Sequence, residues 1–477
     1  MKMKMKRIFA GILFSLLLCV MLCACADGCD GFAWLGDIEA TEPAATLKPD
    51  RATCKHSYGE YKVPPTAQCN RTYVSHAVCS KCGEVTYGDD MRGNHRFGDD
   101  GKCIYCGMFD MKIGVEYREG DFLYFLRSKN RCEAILAQDA ASETVEFPSS
   151  FGGHDISIIS MPSSEEVRSR VKHVYIPASV EMTSQYIFKN FTALETVSIE
   201  QDSKLGSVGY EAFAGCSSLK RIELENCTAL AKIGARAFAD CTSLEEIALP
   251  DSVKMIEERA FIGCSALNKV SLESEYVGLG VGVFMDCSSL SNVNFLNKVE
   301  TIPGSAFAGC KGLTRIRIPD NVRYIEDYAF EESGLMEVAL PQSLLSLGNM
   351  AFFNCKSLRA IEIYDGIKRI NTSTFAGCDA LSRVILPSTL ETIAPSAFAD
   401  CASLKSIVIP ASVKDIAANA FYLDTALEAV TFENVDGWVK GNEAIDPETL
   451  SDPELAAKIL REGVTSESFL RIEESVD

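Results

Sequence analysis

Eleven phenylalanines recur through the second half of the chain at steps of 22 to 25 residues. They are Phe188, Phe213, Phe238, Phe261, Phe284, Phe307, Phe330, Phe352, Phe375, Phe398 and Phe421. A fixed period of this length marks a repeat architecture. One unit is too small to bury its own apolar face, so successive units must stack. The expectation is an elongated solenoid whose function lies on its surface.

The unit is clearest in Leu404 to Phe421, LKSIVIPASVKDIAANAF. Leu404, Ile407 and Ile409 are apolar, with Ser406 and Val408 between the last of them. Alternation over a few residues predicts a strand. Pro410 follows and cannot donate to a ladder, so the strand ends there. The same proline recurs as Pro177, Pro250, Pro319, Pro341 and Pro387. Val413, Ile416 and Ala420-Phe421 then predict a second inward-facing segment. Strand and period together predict a mainly β fold, a leucine-rich-repeat solenoid of about 11 coils of about 23 residues.

Three residues after most of the phenylalanines comes a cysteine: Cys216, Cys241, Cys264, Cys287, Cys310, Cys355, Cys378 and Cys401. Ser333 and Asp424 take that place in two coils. Residues at one phase of a solenoid stack about 4.8 Å apart, so a buried column of thiols is expected. One reading is a metal or redox ladder. The other is a small, weakly polar residue at a tight turn. Ser and Asp favour the second, since both hydrogen-bond local backbone.

Blocks such as SAFAGCKGLTRIRIPDNVRYIEDYAF (Ser305–Phe330) and SAFADCASLKSIVIPASVKDIAANAF (Ser396–Phe421) resemble the BspA-like leucine-rich repeats. The resemblance covers residues 171–432 and is specific because the motif recurs. It implies a right-handed, horseshoe-like solenoid on a cell surface, used for adhesion or ligand binding. It carries no catalytic residues. The tail TFENVDGWVKGNEAIDPETLSDPELAAKIL resembles the closing segment of such arrays.

The formal net charge is −20. That excludes nucleic acid as a partner, because phosphate binding needs a basic face. It also argues against electrostatic attachment to anionic lipid. Residues 433–477 hold 12 acidic and 4 basic side chains, net −8. They are expected to form an acidic, solvated C-terminal cap, or a docking surface.

The N-terminus is expected to be an export signal. Lys2, Lys4, Lys6 and Arg7 precede an uncharged apolar run from Ile8 to Leu22. The run ends in Leu22-Cys23-Ala24-Cys25, which resembles a bacterial lipoprotein signal. Cys25, with Leu22 and Ala24 before it, is the expected lipidation site, placing the protein outside the cytoplasm on a membrane. Ordinary cleavage near Ala24 or Ala26 and an uncleaved anchor are the alternatives. No other stretch is apolar enough to span a bilayer. Residues 26–50 read as a linker.

Residues 51–110 hold the concentrated chemistry. Cys79-x-x-Cys82-Gly and Cys103-x-x-Cys106-Gly are two knuckles separated by 20 residues, a zinc-ribbon spacing. Cys54, His56, Cys69, His76 and His95 lie around them. Without His76 there are eight ligand-type residues, enough for two tetrahedral sites. One pairing is Cys54, His56, Cys79 and Cys82, with Cys69, His95, Cys103 and Cys106. A single four-cysteine site is another. Disulfides compete, because exported proteins are usually oxidised. The knuckles, the histidines and the unpaired repeat cysteines favour structural zinc. The module resembles zinc-ribbon-like pieces of bacterial surface proteins. Residues 111–170 are expected to cap the N-terminal end of the solenoid, whose open coil would otherwise expose its edge.

None of the five histidines lies beyond His173, which excludes a Ser-His or Cys-His pair within the main array. No Gly-rich phosphate loop and no His-Glu-x-x-His occur. Glu245-Glu246 and Glu331-Glu332 read as solvated faces. A non-enzymatic binding protein is therefore expected. Its face should be the residues alternating with the buried strand positions: Arg221 and Glu223, Lys269, Arg315 and Arg317, Glu337, Glu362 and Arg383 among them. From Arg221 onward this set has mixed charge and no aromatics, which favours a host or bacterial surface protein over a glycan. A carbohydrate-binding accessory is the alternative, and a merely soluble face is the bland one.

Overall fold

The computed structural model describes residues 72–78, 85–92, 111–129, 131–272, 277–293, 299–462 and 467–472. The chain divides into two units, residues 1–95 and 96–477. In the first, the described residues are two antiparallel strands, Thr72–Val78 and Val85–Arg92, with Thr72 opposite Arg92. The second is a β-solenoid built on two parallel ladders.

The longer strands form one side of the coils, the long ladder, divided among four parallel sheets. Thr144–Glu146, His173–Ile176, Thr196–Ile199 and Arg221–Ile222 pair in parallel, each with the next coil. Glu246–Leu249, Lys269–Leu272 and Asn292–Val293 continue it. So do Arg315–Arg317, Glu337–Ala339, Ala360–Glu362 and Arg383–Ile385. Ser406–Ile409 and Ala429–Phe432 are the last pair. Thirteen strands of this kind occur among the described residues, two more than the phenylalanine count predicts. The additional coils, at 144 and 429, lie at the two ends and lack the phenylalanine.

The second ladder is made of two-residue strands that follow the turn after each long strand, a turn that proline opens in about half of the coils. Met182, Ser207, Lys232, Met255 and Gly278 lie in register, as do Thr301, Tyr324 and Ser346, and Arg369, Thr392 and Asp415. The proline ends the long strand by turning it: Pro250 and Pro319 accept from Val253 and Val322, three residues on, at 3.1 Å each.

The third side of each coil is the phenylalanine turn. All eleven rings are buried and stacked on their neighbours, with centroids 5.1–5.8 Å apart. That spacing is offset stacking rather than a face-to-face sandwich. The backbone follows the same repeat, since Phe307 N–H donates to Ala329 of the next coil at 2.8 Å. The tight turn puts the residues two before and two after each of these phenylalanines in the left-handed region, as at Ser305 and Gly309. Before the ring these are mostly ordinary side chains; after it they are mostly Asn, Asp or Gly, the residues that tolerate this backbone. Neighbouring coils interlock there. A Cβ on Gly309 would lie 2.3 Å from Oδ1 of Asp286, its counterpart one coil earlier.

Both ends are closed. At the start, Glu116–Glu119, Phe122–Ser128 and Arg131–Leu136 form antiparallel pairs, and Arg131–Leu136 joins His154–Ser160 in the short ladder. At the other end, Phe469–Arg471 lies antiparallel on Asp415–Ile416 and on Trp438–Lys440. The helix Pro453–Glu462 covers Ala429–Phe432, and Arg461 donates to the Leu427 carbonyl at 2.9 Å. Trp438 is buried edge-on to Phe432. Exposed ladder ends invite further strand addition; here an antiparallel strand and a helix block it.

Candidate binding surface

Alternation in the long strands decides which side chains reach solvent. Ile316 is buried while Arg315 and Arg317 are exposed, and Ile361 is buried between Ala360 and Glu362. Arg221, Lys269, Glu337 and Arg383 are exposed, and Glu223 is half-buried. Register then sets the neighbours across coils. Arg315 lies beside Glu337, Glu337 beside Ala360, and Ala360 beside Arg383. One row of the face therefore mixes both signs with a neutral position.

The ion pairs on this face are loose. Arg315 Nε is 3.6 Å from Glu337 Oε2, with both side chains more than half exposed. Arg221 reaches Glu223 at 3.5 Å and Glu225 at 3.3 Å. Such pairs contribute about 0–1 kcal/mol to stability. Their side chains are free to be recruited by a partner at little cost to the fold.

The character of the face changes along the array. In the second outward row Arg317 is followed by Ala339, Glu362, Ile385 and Val408. Ile385 is 36 % exposed and Val408 48 %. At the other end, Tyr175 occupies the outward position of His173–Ile176 and is 37 % exposed. The expectation of a face without aromatics holds from Arg221 onward but not for the whole ladder. The sequence reading of the face begins at Arg221, two coils after Tyr175, so the tyrosine falls outside it.

The cysteine column is a structural device. Cys216, Cys241, Cys264, Cys287, Cys310, Cys355, Cys378 and Cys401 are all buried and free. Each thiol donates to the carbonyl of a phenylalanine of the preceding coil, as Cys264 does to Phe238 at 3.0 Å and Cys310 to Phe284 at 3.2 Å. That carbonyl already accepts the N–H of the residue three positions on in its own turn, as Phe238 does from Cys241 at 3.2 Å. Burial pushes the Cys216 and Cys355 thiols up to about 12, so they stay protonated and unreactive. Ser333 replaces the thiol and meets Cys355 Sγ at 3.3 Å. No group of three or more His, Cys, Asp or Glu side chains among the described residues is arranged to hold a metal ion.

The carboxylate pairs offer no catalytic geometry. Glu245 and Glu246 are both exposed. Glu331 is raised by burial and by the neighbouring Glu332, with no histidine anywhere in this part of the chain. The expected lipidation site, Cys25, and the expected zinc ligands Cys54, His56, Cys69, Cys79, Cys82, His95, Cys103 and Cys106 lie outside the described residues. Among the described residues no helix is long and apolar enough to cross a membrane.

A family model of the BspA type leucine rich repeat region matches residues 155–231, 206–336 and 323–437. No curated protein matches. Solved structures that resemble the chain include a leucine-rich repeat protein from Bacteroides ovatus, 25 % identical over 67 % of this chain and 88 % of its own, with a TM-score of 0.48. A leucine rich cell surface protein from Faecalibacterium prausnitzii is 21 % identical over 67 % and 89 %, TM-score 0.39. The pneumococcal vaccine antigen PcpA is 19 % identical over 69 % and 84 %, TM-score 0.41.

Proposed function

The chain belongs to the BspA type leucine rich repeat family, and on that premise we propose that it is a non-enzymatic bacterial surface protein that binds a protein partner through the open face of its long ladder. The observation that supports this is the pair of outward rows that carry Arg315, Arg317 and Arg383 together with Ile385 and Val408. Arginines beside exposed aliphatic side chains are the composition of protein interfaces rather than of an inert surface. The parallel register holds them on rigid strands, so a partner orders few side chains on docking. Tyr175 at the start of the same face supports a glycan as the second reading.

The test is capture of host and bacterial surface proteins on the immobilised chain, beside a glycan array. Against a captured protein, Arg315→Ala and Arg317→Ala are each expected to weaken binding by about 5- to 30-fold. Each should change stability by about 0.5 kcal/mol or less, because both side chains are exposed. Unchanged affinity in both variants would move the recognition surface elsewhere; glycan binding alone would select the second reading.

Two further proposals concern the residues before 111. Cys25 carries a diacylglyceryl group, because Leu22 and Ala24 stand before it at the end of an apolar run. One acyl chain holds a protein only marginally while two hold it stably. Cys25→Ala is expected to release the protein from the membrane fraction, and retention with no lipid mass on the N-terminal peptide would refute it. Zinc is structural in residues 51–110, where paired thiolates and imidazoles are the donor set this ion takes. Metal-binding energy is folding energy in small modules of this kind. A strong chelator should therefore unfold this part of the full chain, read by protease cleavage within 51–110. Absence of zinc by elemental analysis, with Cys79 and Cys82 oxidised, would establish disulfides.

A further inference from the structure

We propose that a cavity at the junction of the N-terminal segment and the first regular coil is a second binding site, for a sugar bearing a carboxylate. The cavity has a volume of about 270 Å³, close to the lower end of the range for small-molecule pockets. One wall is the segment Ser160 to Arg168, from the end of the strand His154–Ser160 into the helix Glu165–Arg170. The other is Ser184 to Ile187 of the adjoining coil.

Its polar groups are unspent. Arg168 makes no ion pair with any described residue, and its Nε is buried with no hydrogen-bond partner. Its neighbours on the helix do not supply one. Glu166 is paired with Arg170 at 3.3 Å, and Glu165 forms no ion pair among the described residues. Ser163, Ser184 and Gln185 line the same cavity with side chains that make no hydrogen bond among the described residues. Ser160 is the exception, donating to Glu133, which also pairs with Arg127. A buried donor left without a partner is unfavourable, so Arg168 is poised for an acceptor from outside.

The surroundings select the class of ligand. Tyr186 forms an aromatic wall, 48 % exposed, and Tyr210 meets it edge-on at 5.3 Å. Lys189 lies over the Tyr186 ring, 5.1 Å from its centroid, and pairs with Glu211, which also faces Arg236. Among the lining residues the charged side chain is Arg168, a cation in a chain of net charge −20. A guanidinium binds a carboxylate through paired N–H donors. Serine and glutamine side chains suit hydroxyls, and a tyrosine wall suits the apolar edge of a pyranose ring. A uronic acid, free or in a polysaccharide, combines the three. The cavity adjoins the short ladder, so this site and the long-ladder face proposed above can each fail without the other.

The probes are glucuronate, galacturonate, glucose, acetate and inorganic phosphate, titrated into the full chain and followed by calorimetry and NMR. A uronate is expected to saturate the protein with a Kd at or below about 1 mM, while glucose, acetate and phosphate bind at least about tenfold more weakly. Arg168→Gln and Tyr186→Ala should each lower uronate affinity about tenfold or more, and Arg317→Ala should leave it unchanged. Should Arg168→Gln fail to fold, uronate-induced shifts confined to Ser184, Gln185 and Tyr186 in the unaltered protein would support the site. No saturable uronate binding, equal binding of glucose, equal binding of phosphate, or shifts elsewhere would each overturn it.

Discussion

Replacing Phe307 by alanine is expected to destabilise the solenoid by about 3–5 kcal/mol. The ring is wholly buried, 5.8 Å from Phe284 and 5.5 Å from Phe330 between centroids. Deleting it removes the transfer energy of one side chain and leaves a void between two rings that the ladders hold at coil spacing. Both ladders and the turn hydrogen bond from Phe307 N–H to Ala329 fix that spacing, so the neighbours cannot collapse inward. Solenoids couple mainly nearest neighbours. Faster hydrogen exchange should therefore centre on the coils of residues 284–330 and fade toward both ends. Urea unfolding of Phe307→Ala beside Arg315→Ala measures the contrast between the core and the face. A loss below about 1 kcal/mol for Phe307→Ala would show that the stack relaxes around a missing ring.

The phenylalanine spacing made this core legible. Period, alternation and proline at the strand end were enough to place Ile316 inside and Arg315 and Arg317 outside, because a strand offers two faces only. The thiol column was equally readable from its phase, and Ser333 and Asp424 pointed to a side chain that hydrogen-bonds backbone at the turn. Other features carried a signal that the periodic pattern overshadowed. Asn, Asp or Gly stands two residues after nine of the eleven phenylalanines, at Asn190, Gly215, Asp240, Gly263, Asp286, Gly309, Asn354, Gly377 and Asp400. That row is the mark of a left-handed turn.

What escaped the sequence lies at the ends. The coils at 144 and 429 lack a phenylalanine at the repeating phase, so a count based on that residue misses them. The antiparallel return of Phe469–Arg471 onto Asp415–Ile416 depends on a contact more than fifty residues distant in sequence. The cavity beside Arg168 arises where the irregular segment 160–168 meets Ser184 to Ile187. Repetition gives rows of similar neighbours, and a concave site with dissimilar walls arises where repetition stops.

Asp424→Asn is expected to stabilise the protein above pH 8 by a few kcal/mol and to flatten its stability between about pH 4 and 8. Asp424 occupies the cysteine phase of the last coil that carries the phenylalanine, and it is fully buried. Its Oδ1 accepts from the Cys401 N–H at 2.8 Å, while Oδ2 has no partner among the described residues. Burial pushes this carboxyl up to about 8, the nearby Asp400 adds to the effect, and the Cys401 N–H opposes it. In the unfolded chain the group titrates near pH 4. Below that both states hold the proton and the group is neutral with respect to folding. Between about pH 4 and 8 only the folded state keeps it, so the unfolded state binds fewer protons and stability falls as pH rises. Above 8 both states are ionised and the full burial penalty is present. Asparagine retains an oxygen for the Cys401 N–H and removes the titration. Urea midpoints of both proteins at pH 4, 6, 8 and 9 provide the test, since every other group contributes equally to the two curves and cancels in their difference. That difference should be smallest at pH 4 and grow to a plateau above 8. Parallel curves would mean that the carboxyl finds water or a partner and is ionised in the fold at neutral pH.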